Sequence, residues 1–98
     1  MSYPSQSTGA LLERAKQTVR YPEARVIVLD DDINTYEHVV QSLRQIIPAM
    51  NEDRAWQLAK KIDKEGSAEV WSGPLEQAEL YHQQLSSKGL TMAPLERC

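Results

Sequence analysis

A run of aliphatic residues that stops at three consecutive acids constrains this chain more than any other stretch. Arg25-Val26-Ile27-Val28-Leu29 leads straight into Asp30-Asp31-Asp32, and Ile33-Asn34-Thr35-Tyr36-Glu37 opens a helical pattern at once. Four adjacent aliphatics, mostly β-branched, predict a buried strand over Arg25–Leu29. Three carboxylates at its end cannot all enter a core, because an unpaired buried charge is costly. They have to face a cleft, a cation or water. The question of function becomes what cation, if any, they meet.

The elements that follow are readable from spacing. Asn34 is placed to cap a helix, with Glu37 three residues on in capping-box position. Tyr36, Val39, Val40, Leu43, Ile46 and Ile47 recur at three- and four-residue steps and lay down one apolar face, and Pro48 ends the helix. Asn51 caps a second helix whose buried face is Ala55, Leu58, Ala59 and Ile62, with Gly66 as its stop. Ser67–Ser72 reads as a second strand. Gly73-Pro74 marks the next turn, with Pro74 at the first position of a third helix that presents Leu75, Ala78, Tyr81, His82 and Leu85 and closes at Gly89. Leu90–Leu95 is a last strand weakened by Pro94. The fold class is therefore α+β: a small three-stranded antiparallel sheet carrying three helices, in the order β-α-α-β-α-β.

Residues 1–24 hold little apolar mass and read as a flexible N-terminal extension, with residues 25–98 as the core. A chain of 98 residues supports one modest core. No apolar run approaches the roughly 18 residues of a membrane span, the N-terminus lacks a signal-peptide pattern, and Cys98 alone cannot build a disulfide framework. A cytoplasmic, membrane-free protein is expected. Residues 1–25 carry a formal +2 and the remainder −5. An acidic body argues against nucleic acid, which needs a basic face, and favours a basic partner or a free amine.

Several chemistries fail on the residues. Asp30-x-Asp32-x-Asn34 matches the start of a calcium-binding EF-hand loop, but Thr35 stands at the glycine position and Gln41 at the bidentate glutamate position. A phosphoacceptor domain would need a later strand-end Asp, and Asp63 lies in a helical pattern. His38 and His82 also lie on helical segments, without a Ser or Cys nucleophile signature beside them, so no enzyme, cofactor or metal is expected. Two readings of the acids stay open. One is a solvated turn that favours the following helix electrostatically. The other is a site for an organic ammonium, whose N–H donors match clustered carboxylates through charge-assisted hydrogen bonds.

Val26–Val40 (VIVLDDDINTYEHVV) resembles the signature of ClpS-type adaptors, in which an aliphatic strand ends in Asn-Asp-Asp and runs into Thr-Pro-Met-Glu-Phe-Val-Val. Ile62–Trp71 (IDKEGSAEVW) is similar to their second signature, Val-His-x-Glu-Gly-x-Ala, at ungapped spacing, and the likeness covers roughly residues 25–96. The resemblance implies an adaptor of the Clp protease without catalytic activity. Such a protein captures the free N-terminus of a substrate bearing a destabilising first residue and hands it to the unfoldase, ClpC or ClpA. It also implies a delivery role for the N-terminal arm.

By position, the resemblance implies that Asp30, Asp31, Asp32 and Asp63 form the α-amino site. Asn34, Tyr36, Val39, Ala59 and Ile62 would form the hydrophobic pocket, and Glu76 and Tyr81 would lie on the surface that docks the unfoldase's N-terminal domain. The departures concentrate at the site. Asp30 replaces Asn, Asp63 replaces His, Tyr36 replaces the gating Met, Ala59 replaces a frequent Met, and Tyr81 stands where a Lys is expected. A narrowed or shifted choice of first residue is therefore expected. The alternative is a regulatory protein that docks on the Clp chaperone without taking N-degrons.

Overall fold

The computed structural model describes residues 22–98; the predicted arm lies almost wholly outside them. Strand β1 spans Glu23–Leu29, helix α1 Tyr36–Ile46, helix α2 Glu52–Glu65, strand β2 Ser67–Pro74, helix α3 Leu75–Ser87 and strand β3 Glu96–Arg97. The element order is the expected β-α-α-β-α-β. β1 is central and antiparallel to both neighbours, in the order β2-β1-β3.

β1 is not buried on both faces. Ala24, Val26 and Val28 are buried, while Arg25 is exposed and Ile27 and Leu29 are half-buried. One face of an antiparallel sheet commonly carries the core and the other meets water. On the open face Arg25 pairs with Glu69 of β2 and with Glu96 of β3, joining all three strands. The strand also begins two residues before the predicted Arg25, because Ala24 has a place in the core.

The helices fill the buried face with the residues the spacing marked out. Val39, Val40 and Leu43 of α1, Ala55, Leu58, Ala59 and Ile62 of α2, and Ala78 and Leu85 of α3 join Ala68 and Val70 of β2 in one cluster. α2 starts at Asn51, whose side chain accepts from Arg54 N at 2.8 Å, and stops at Gly66, in the left-handed region at φ 92°. That conformation is one that glycine adopts without a Cβ penalty.

Three local expectations shift. The cap of α1 is Thr35, whose hydroxyl accepts from His38 N at 3.1 Å, because Asn34 is engaged elsewhere. Pro74 precedes α3 with extended backbone (φ −53°, ψ 141°) and ends β2 instead of opening the helix. The last strand forms at Glu96–Arg97, while the predicted Leu90–Leu95 segment pairs only through an isolated bridge between Met92 and Val28. Pro94 has no N–H to donate, which limits pairing there. Segment 91–93 still tracks β1, with Leu29 N donating to Thr91 O at 2.8 Å and Ala93 N to Ile27 O at 3.1 Å.

A bulge interrupts the β1–β2 register between Val26 and Ile27, where Val26 pairs with Trp71 and Ile27 with Glu69. Such an extra residue re-aims side chains. Trp71 meets Tyr81 of α3 edge-on, with ring centroids 4.9 Å apart. Its ring also covers Gly73, where an added Cβ would lie 2.6 Å from the indole.

Candidate functional site

Three chain segments meet at the end of β1. Asp30 N donates to Gly66 O at 2.9 Å, which brings the last turn of α2 beside the acids. The pairing of Leu29 with Thr91 brings in the segment after α3. The first turn of α1 supplies the remaining side. These pieces enclose a pocket of about 60 Å³, lined by Val28, Leu29, Asp30 and Asp31 from the end of β1. Asn34, Tyr36 and Val39 line it from the turn and α1, Ala59, Ile62 and Asp63 from α2, and Leu90 and Thr91 from the C-terminal segment.

The four predicted acids do not have equal positions. Asp31 Oδ1 accepts from Ile33 N at 2.9 Å and Asn34 N at 2.7 Å, while Oδ2 accepts from Asn34 Nδ2 at 2.6 Å and Thr91 Oγ1 at 2.7 Å. Four donors match the roughly four acceptor positions of a carboxylate. The Asn34 N–H above all, then the Thr91 hydroxyl and the Ile33 and Asn34 donors, hold the Asp31 carboxyl well below the usual carboxylate range. Asp31 is thus the hub of the turn. Among the described residues no side chain hydrogen-bonds the carboxylate of Asp30, which is exposed on the pocket rim. Asp63 is likewise exposed and accepts from Tyr36 Oη at 2.5 Å. Asp32 is exposed and lies outside the lining.

The depressed Asp31 pKa has a definite consequence for stability. Its folded-state value lies below its unfolded value of about 3.9, so the stabilisation is fully present above that pH. It is lost as the pH falls through the folded value. Asp31→Asn supplies an N–H₂ group where two donors already point. We expect it to lower stability by about 1–2 kcal/mol, discounted for partial hydration. The difference in urea midpoint from wild type should be full at pH 6 and shrink below pH 4.

The five predicted pocket residues line the same pocket from two sides, with Val39, Ala59 and Ile62 buried. Asn34 also donates from Nδ2 to Gly89 O at 3.0 Å, tying the turn to the end of α3. Sequence reasoning missed Leu90 and Thr91. The signal available was an apolar residue directly after Gly89, but only pairing with β1 places it at the site. Both histidines fix that segment from outside the pocket: His38 Nε2 donates to Lys88 O at 2.7 Å and His82 Nε2 to Ala93 O at 2.8 Å. Tyr36 has its ring edge-on to Trp56, with centroids 6.1 Å apart. The hydrogen bond to Asp63, then burial and the charges of Asp63 and Asp30, raise its phenol pKa above the usual value.

Away from the pocket, Glu76 is exposed on the first turn of α3, and Tyr81 is half-buried against Trp71. Among the described residues no group of three or more His, Cys, Asp or Glu side chains is arranged to hold a metal. Among them also, no helix is long and apolar enough to cross a membrane.

A pocket with an apolar wall and carboxylates on its rim is accompanied by a match over most of the chain. The model of the family described as "ATP-dependent Clp protease adaptor protein ClpS" matches residues 19–96. The chain belongs to the ClpS family. It is 58% identical over 86 residues to the ATP-dependent Clp protease adapter protein ClpS of Nostoc sp., covering 86% of this chain and 89% of that one. With the ClpS of Synechocystis sp. it shares 56% over 87 residues, covering 87% and 89%. With the ClpS of Thermosynechococcus vestitus it shares 59% over 76 residues, covering 78% and 81%. As a ClpS-family chain it is an adaptor of the Clp protease, not an enzyme.

Proposed function

We propose that this adaptor captures the free N-terminal residue of a substrate protein and delivers it to the Clp unfoldase, ClpC or ClpA, in the cytoplasm. The observation that carries the reading is one small pocket with an apolar wall and two rim carboxylates, Asp30 and Asp63, that retain acceptor capacity. A protein α-amino group has a pKa of roughly 7.7–8.0 and is mostly charged at neutral pH. Asp30 and Asp63 accept its N–H donors, and Val39, Ala59, Ile62 and Leu90 receive the first side chain. Asp31 contributes by holding the turn, because its acceptor positions are occupied.

The pocket size supports a narrowed choice of first residue. A closed apolar cavity that admits benzene has a volume of about 150 Å³, and this pocket measures about 60 Å³. Aliphatic first residues require less opening of the rim than rings do. Glu76 and the ledge of Tyr81 on Trp71 form the docking face for the unfoldase's N-terminal domain.

Fluorescence anisotropy with a panel of peptides differing in their first residue tests the capture half. Leu-initiated peptide binds at pH 7, and binding weakens as the pH rises past about 8 and the ammonium loses its proton. Equal affinity for peptides starting with Leu, Phe, Tyr and Trp would contradict the narrowed pocket. Binding of the unfoldase N-domain that is unchanged in Glu76→Ala would contradict the docking face.

A further inference from the structure

The hydrogen bond from Tyr36 Oη to Asp63 Oδ2, 2.5 Å long, joins the first residue of α1 to the last turn of α2 across the pocket rim. It also joins the two things the pocket has to recognise. Asp63 supplies a carboxylate to the rim, and the Tyr36 ring lines the same pocket beside it. One hydroxyl occupies one acceptor position of Asp63, and a carboxylate offers about four. An ammonium can therefore bind Asp63 while Tyr36 remains attached, unlike at Asp31.

The ring is held from a second direction. Trp56, one helical turn before Ala59 on α2, meets Tyr36 edge-on at 6.1 Å. With the hydroxyl anchored at Asp63 and the ring braced by Trp56, the phenol has little freedom to swing away from the mouth, although it is partly exposed. Without the anchor, rotation about its side-chain bonds would widen the opening.

We propose that the Tyr36–Asp63 tether is the specificity determinant of this pocket, fixing the width of the mouth so that large ring side chains are excluded while the carboxylate still binds the ammonium. This rests on the reading of the pocket as an N-terminal capture site. The tether makes Asp63 serve two separable purposes. Its charge attracts the amine, and its acceptor oxygen positions Tyr36. Tyr36→Phe removes the anchor and keeps the charge. Asp63→Asn removes the charge and keeps an oxygen that accepts the hydroxyl.

The test uses the full chain as wild type, Tyr36→Phe and Asp63→Asn, with fluorescent peptides of one sequence beginning in unblocked Leu or Trp. Wild type favours Leu over Trp by about tenfold, the scale on which a pocket resolves small differences in size. Tyr36→Phe brings the two affinities together, chiefly by tightening Trp. Asp63→Asn weakens both peptides and preserves their ratio. A Leu-to-Trp ratio unchanged in Tyr36→Phe, absent in wild type, or lost in Asp63→Asn overturns the tether while leaving capture intact. Failure of wild type to bind either peptide overturns the capture reading and the tether with it.

Discussion

The Asp30→Asn, Asp63→Asn double variant is expected to bind a Leu-initiated peptide about a hundredfold more weakly than wild type, or below detection. Hydrogen bonds to charged groups contribute about 1.5–3 kcal/mol each, which is roughly one to two orders of magnitude in affinity per carboxylate. Both side chains line the rim of one pocket, so their effects are not strictly additive. Asn keeps the shape and one acceptor, and the loss isolates charge from packing. Both side chains are exposed, so the variant should stay folded. An unaltered urea midpoint together with lost binding is the expected pair of results. Unaltered binding would remove both carboxylates from the site.

The second large effect is on the fold that builds the pocket. Leu85 is fully buried between α3 and the sheet, and its carbonyl accepts from Leu90 N at 3.3 Å. Leu85→Ala leaves a cavity under the segment that walls the pocket. Such changes cost about 2–5 kcal/mol, a large share of the roughly 5–15 kcal/mol that holds a domain together. We expect a loss of about 3 kcal/mol, seen as a fall in Tm on the order of 15 °C with the urea m-value unchanged. Peptide affinity should fall at temperatures where the variant is still folded, because Leu90 loses its support. A fall of less than about 1 kcal/mol would mean that the site collapses around the smaller side chain.

These effects show which parts of the molecule are local. Helix faces could be read from the sequence because three- and four-residue spacing fixes which side chains share a surface, and Val39, Leu43, Leu58 and Ile62 are buried as that spacing requires. Asn51 and Gly66 could be read because a cap and a left-handed stop act on their own helix. Asn34 could not. Its amide reaches Asp31 and the distant Gly89, and Thr35 takes the cap. The last strand is not legible in the same way, because Leu90–Leu95 has the apolar pattern of a strand while the ladder with β1 forms at Glu96–Arg97.

The site divides in the same way. Asp30, Tyr36, Val39, Ala59, Ile62 and Asp63 line one pocket. Spacing along the chain could not reveal that Asp31 is consumed by four donors, one of them from Thr91, sixty residues away. Nor could it reveal the bond between Tyr36 and Asp63. A run of three identical residues thus contains different roles: Asp30 faces the pocket, Asp31 builds the turn, and Asp32 stands outside the lining.

Recognition of a charged N-terminus is what the pocket is proposed to do. Its most direct measurement is titration of the full chain with one Leu-initiated peptide in two forms, free and Nα-acetylated, at pH 7. Acetylation removes the charge and leaves the leucine side chain unchanged. Capture of the ammonium predicts binding of the free peptide and a loss of about a hundredfold or more on acetylation. Equal affinity for the two forms would contradict it.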